Sequence, residues 1–72
     1  MYIDDLTVGQ KAIVSKLHLR ITNDVELISR GFKNGAEVEM LLIDSHKMLV
    51  SIMGTEVGLS KSLAGCIEVE IN

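Results

Sequence analysis

The chain has 72 residues, a formal net charge of -3, 47% apolar residues and 3% aromatic ones. A chain this short buries only about 60% of its unfolded surface and cannot divide that between two cores, so residues 1–72 read as one domain. The acidic balance and scattered basic residues exclude nucleic-acid capture by counterion release, and the apolar content excludes disorder.

Met1 to Val8 places Ile3, Leu6 and Val8 around Asp4 and Asp5, and Gly9 closes it. This reads as a turn or single helical turn that lids the core. From Gln10 to Leu19 neither parity is cleanly apolar, yet β-branched Ile13 and Val14 favour a strand. Next comes a helix start signal: Asn23 as cap, Asp24 in the first turn and Glu26 in the capping-box position. Val25, Ile28 and Phe32 follow at i, i+3 and i+7, one face of a short helix running to Arg30. Gly31 fits the left-handed stop that ends helices, and Gly35 supplies a second position for positive φ.

"AEVEMLLI" predicts a strand with Ala36, Val38, Met40 and Leu42 inward and Glu37 and Glu39 outward. Asp44 to Lys47 is a polar turn, "MLVSIM" the return strand, Gly54-Thr55 a tight connection, and "EVGLS" a third strand facing Val57 and Leu59 inward. Ser60 to Gly65 holds one helical turn presenting Leu63 and Ala64. The end of the chain alternates Ile67, Val69 and Ile71 against Cys66, Glu68 and Glu70, the clearest strand signal present. Four or five short, half-apolar strands leave bare edges in an open sheet. The expected fold is therefore mainly β, a small closed barrel with the short helix plugging one end.

In this order the residues resemble the FeoA family of small ferrous iron transport proteins. Leu6 and Gly9 match its opening, Gly31, Phe32 and Gly35 its corner, Gly54, Val57 and Leu59 its hairpin, and Ala64, Ile67 and Val69 its close. Asn34 stands where that family usually has proline, Arg30 where a leucine commonly precedes the first glycine, and Ser60 where a basic residue often follows the leucine. The resemblance implies an SH3-like β-barrel of about five strands and a cytosolic accessory to the FeoB-type ferrous iron permease. It also implies kinship with the SH3-like C-terminal domain of metal-dependent repressors of the DtxR type.

Enzymatic readings find no constellation. Nucleophilic catalysis pairs a Ser or Cys with a histidine and an orienting carboxylate, but lone Cys66 opens an alternating strand, and His18 and His46 carry no motif. Metal ligation is the sharper alternative. His46 and Asp44 are weak candidates for a divalent transition metal, against the plainer reading of Asp44-Ser45-His46 as a solvated turn. Without paired Cys or His spacing no resident cofactor is expected. Base stacking and polyproline recognition both need exposed aromatics, and Tyr2 and Phe32 are the only candidates.

A protein-binding module remains. Gly9, Gly31, Gly35 and Gly54 are assigned to turns. Leu27, off the Val25/Ile28/Phe32 face and beside Arg30 and Lys33, forms one candidate contact patch. Met48 and Met53 by the hairpin form another, their thioethers suiting adaptable contacts. The longest apolar run, Met40 to Ile43, is far short of the roughly 20 residues of a membrane span. No signal-peptide pattern precedes it, so a cytoplasmic location without membrane insertion is expected. Two copies can also pair through an unpaired edge such as Cys66 to Ile71. The readings left open are permease binding, a regulatory or dimerisation module of repressor type, and a weak transition-metal chaperone.

Overall fold

The strand order follows from which faces must be hidden. In the structure, a computed structural model describing residues 1–18 and 28–71, five antiparallel strands run β1 (Lys11–Leu17), β2 (Glu37–Ile43), β3 (Lys47–Ile52), β4 (Thr55–Ser60) and β5 (Ile67–Glu70). A 3₁₀ turn (Ile3–Asp5) precedes them and a one-turn helix, α1 (Lys61–Ala64), joins β4 to β5. The strands pair in the order β4-β3-β2-β1-β5. The fold is mainly β and SH3-like, as the residue pattern implies.

The expected closed barrel is corrected to an open ladder, because β4 and β5 stand at opposite ends of the order. The chain turns away from the sheet after β4, where Ser60 caps α1 by accepting from the Leu63 N–H at 3.2 Å. Helix α1 packs on β4 and β3 and meets the 3₁₀ turn, which in turn meets β5. Those two segments link β4 to β5 in place of the fifth strand pairing that would close the ladder. The edge of β5 is not bare either: the Val69 N–H donates to the Met1 carbonyl at 2.7 Å, and Tyr2 bridges Glu68. Within the Cys66–Ile71 edge offered for pairing between copies, Glu68 and Val69 are thus met by the chain's own first residues.

The core is one aliphatic cluster. Val38 and Met40 from β2, Val50 and Ile52 from β3, Val57 and Leu59 from β4, and Ile67 and Val69 from β5 are buried with Ile3, Leu6 and Phe32. Burying each such side chain contributes about 1.5–3 kcal/mol relative to exposure. Three inward expectations fail. Leu42 is 55% exposed, because the β2–β3 register shifts between Met40 and Leu42 and a bulge turns every later side chain to the other face. Ile71 lies beyond the end of β5 and is exposed. Ile28 is 53% exposed although Phe32 is fully buried: Gly31, at φ +103°, breaks the helix between them, so the two no longer share a helical face. Asn23 to Leu27, including Val25 of that face, lie outside the described residues.

A second register shift, between Val14 and Lys16 against β5, explains the unclear parity of the first strand. Ala12 and Val14 face in, whereas Lys16 and His18 on the same parity face out. The β3–β4 connection is also one residue earlier than expected. Met53 and Gly54 form the two-residue loop, at φ 51° and 85°, and Thr55 already pairs with Ile52. Two positive φ values are the type I′ pattern, whose twist matches that of the flanking strands.

Candidate partner-binding surface

The corner glycines carry the geometry that brings the surface together. Gly31 donates to the Ile28 carbonyl at 3.0 Å and ends the helical turn. Four residues on, Gly35, at φ +90°, donates to the Val14 carbonyl at 2.8 Å, and the Val14 N–H returns to Ala36 at 2.9 Å. The chain is thereby pinned to β1 before β2 begins. Gly9 and Gly54 also have positive φ. Gly9 ties the opening turn to β2 through the Met40 carbonyl at 2.7 Å.

With the inner parity of β2, β3 and β4 filled by core, their outer parity forms two rows. Pairing aligns Glu39 with Ser51 and Ser51 with Glu56, and Lys11 stands opposite Glu39 on β1. One step along the strands, the shifted register aligns Leu42 with Leu49, and Leu49 with Gly58. Gly58 has no side chain, so this second row contains a hollow of about 170 Å³ lined by Leu42, Asp44, Lys47, Met48, Leu49 and Gly58. A Cβ placed on Gly58 would meet no atom within 4 Å.

The expected contact residues fall in different places. Leu27 is outside the described residues. Arg30 is exposed and, with Ser29, Thr55, Glu56, Val57 and Gly58, lines a wider depression of about 430 Å³ along β4. Lys33 is exposed and lines neither hollow. Met53 is 63% exposed at the hairpin tip. Met48 is 4% exposed and belongs to the core cluster, and it also lines the smaller hollow. The outward row of Leu42, Leu49 and Gly58 escaped the sequence reading. Its signal is weak, because Leu41, Leu42 and Ile43 are all apolar and a run of one type carries no parity.

The polar candidates serve local structure. Asp44 Oδ1 accepts from the backbone N–H groups of His46 at 2.7 Å and Lys47 at 2.8 Å, and these bonds hold its carboxyl below the ordinary carboxylate range. An Asx turn of this kind closes the β2–β3 hairpin. His18 Nε2 lies 2.7 Å from Glu68 Oε1, with the Tyr2 ring 5.7 Å from the imidazole. That hydrogen bond is the first cause of a lowered Glu68 pKa. Cys66 Sγ donates to the Ser62 carbonyl at 3.3 Å. Among the described residues no three His, Cys, Asp or Glu side chains gather as a metal site would require, and no helix is long and apolar enough to cross a membrane.

The structure is an open, SH3-like five-stranded sheet with a filled aliphatic interior. The FeoA domain family matches residues 1–71, and the chain belongs to it. Among solved structures, the iron(II) transport protein A of Clostridium thermocellum superposes with a TM-score of 0.93 at 26% identity, over 99% of this chain and 45% of that one. An iron uptake regulatory protein, FeoA, gives a TM-score of 0.89 at 24% identity over 97% and 95% of the two chains. The repressor ScaR with bound zinc shares the fold, with a TM-score of 0.86 at 20% identity, over all of this chain and 37% of the repressor. This chain therefore spans less than half the length of the Clostridium protein and of ScaR. No curated protein matches it.

Proposed function

We propose that this protein is a non-enzymatic, cytoplasmic accessory of ferrous iron uptake, which binds the cytoplasmic part of a FeoB-type iron permease and modulates transport. The observation that carries the reading is membership of the FeoA domain family over residues 1–71. The arrangement of side chains agrees with it. The imidazole of His18 is engaged by Glu68 and the Cys66 thiol by the Ser62 carbonyl, so both take part in local structure. A surface with exposed Leu42 beside Glu39 and Glu56, which form no ion pair among the described residues, suits contact with another protein.

Tagged protein, used as bait on detergent-solubilised native membranes, is expected to co-purify the permease, and deletion of the protein is expected to change ferrous iron uptake. Unchanged uptake on deletion contradicts the reading. The second reading, a regulatory module, draws on the fold shared with ScaR; capture of a metal-dependent repressor in place of the permease would favour it. The third, a metal chaperone working through Asp44 and His46, requires a stoichiometric ferrous or zinc site that is lost in His46→Ala.

A further inference from the structure

The outer face of the β2–β3–β4 meander has a chemistry that specifies its occupant. Its apolar row ends in a hollow of about 170 Å³, close to the 150 Å³ or so of an engineered cavity that holds a benzene ring. That volume takes one bulky apolar side chain, such as leucine or phenylalanine. The neighbouring row holds Glu39 and Glu56 on either side of Ser51. The cations near these rows are Lys11, across from Glu39, Lys47, at the rim of the hollow, and Arg30, which lines the wider depression with Glu56 and Gly58. Among the described residues, Lys11 and Lys47 form no ion pair with Glu39 or Glu56, and the Glu68 carboxylate instead meets the His18 ring at 2.7 Å. Two carboxylates beside an apolar seat repel phosphate-bearing surfaces and attract lysine or arginine. Successive outward rows on a strand are about 7 Å apart, the spacing of residues i and i+2 in an extended segment.

We propose that this face docks a basic, extended protein segment of pattern apolar-x-basic, with the apolar side chain seated over Gly58 between Leu42 and Leu49 and the cation over Glu39 and Glu56. The inference rests on the reading above that the protein acts by binding a partner, and it names the surface and the chemistry of what binds.

Two probes separate the two claims. The first is a synthetic peptide of repeated Phe-Ser-Lys, which sets an apolar residue and a cation two positions apart, titrated into ¹⁵N-labelled protein beside a glutamate-for-lysine control. The basic peptide is expected to shift the amides of Leu42, Leu49, Ser51, Glu56 and Gly58, and the acidic one to leave them in place. In Gly58→Leu, whose new side chain fills the hollow, and in Glu56→Lys, affinity is expected to fall at least about tenfold, one factor of ten in Kd. An unchanged spectrum of Leu49 and Gly58, or equal response to both peptides, overturns the proposal, as does unaltered affinity in both variants with native-like spectra. The second probe is capture of the permease from solubilised membranes. Capture by the wild type that survives in Gly58→Leu and Glu56→Lys overturns the surface and leaves the permease reading standing. Failure of the wild type to capture, with the peptide response intact, removes the permease and leaves the surface.

Discussion

The two faces of the β2–β3–β4 meander use the same residue types for opposite ends. Inward, Val38, Met40, Val50, Ile52, Val57 and Leu59 pack into one cluster with almost no exposed area. Outward, Leu42 and Leu49 sit in a row with Gly58 beside a row of Glu39, Ser51 and Glu56. The difference lies in the bulge after Met40, which moves a leucine from the face that must be filled to the face that can be shared. In so small a domain the interior consumes most aliphatic side chains, so an outward leucine with an empty neighbour marks where another molecule can gain from contact.

Truncating the inner side should cost most. Phe32→Ala removes the largest fully buried side chain, a change worth about 3–5 kcal/mol. The whole domain is stabilised by only about 4–11 kcal/mol at the usual value per residue. Denaturant titration should show a midpoint near or below that needed for a folded population, whereas Leu42→Ser on the outer face should change stability by about 0.5 kcal/mol or less. Equal losses for the two would erase the distinction between the faces.

Glycines sharpen the same contrast. Gly31 has φ +103° with Ile52 Cγ1 3.8 Å from a would-be Cβ, so contact is ordinary and the cost of Gly31→Ala is backbone strain, about 1–3 kcal/mol. Gly58 has neither a positive φ nor a neighbour within 4 Å, and Gly58→Ala should be neutral or slightly stabilising by thermal melting. At the hairpin tip Met53 holds φ 51°, where asparagine is better suited. Met53→Asn is expected to raise stability by about 0.5–1 kcal/mol.

The smallest effect is electrostatic. The hydrogen bond to His18 lowers the Glu68 pKa, so its contribution to stability is present above the ordinary glutamate value and fades as pH falls through the depressed one. In His18→Ala the Glu68 carboxyl should titrate at higher pH, read from its ¹³C chemical shift. The Tm difference between the two proteins should shrink toward acid. A Glu68 titration unmoved by the substitution would mean that the 2.7 Å contact does not govern that carboxyl.

Much of this arrangement was legible beforehand where alternation is strict. Ile67 and Val69 face in, as do Val57 and Leu59, because a charged, polar or glycine neighbour makes their parity unambiguous. The helix stop at Gly31 and the turn at Gly35 were legible for a different reason, since positive φ selects glycine. The bulge at Leu41 was not, being hidden in an apolar run. Nor was the open ladder: pairing between β4 and β5 depends on distant segments, and no local pattern records that Met1 and Tyr2 cover one edge. The Met53-Gly54 loop was displaced by one residue because methionine carries no signal for a left-handed conformation.

The central claim is that the inward face is spent on the core and the outward face meets the partner. The most direct measurement is a ¹⁵N–¹H spectrum of the labelled protein with and without the cytoplasmic domain of the cognate iron permease. The account predicts shifts gathered at Glu39, Leu42, Leu49, Ser51, Glu56 and Gly58, with Val38, Val50 and Val69 unmoved. Shifts gathered instead around the 3₁₀ turn and α1, or spread through the core, would contradict it.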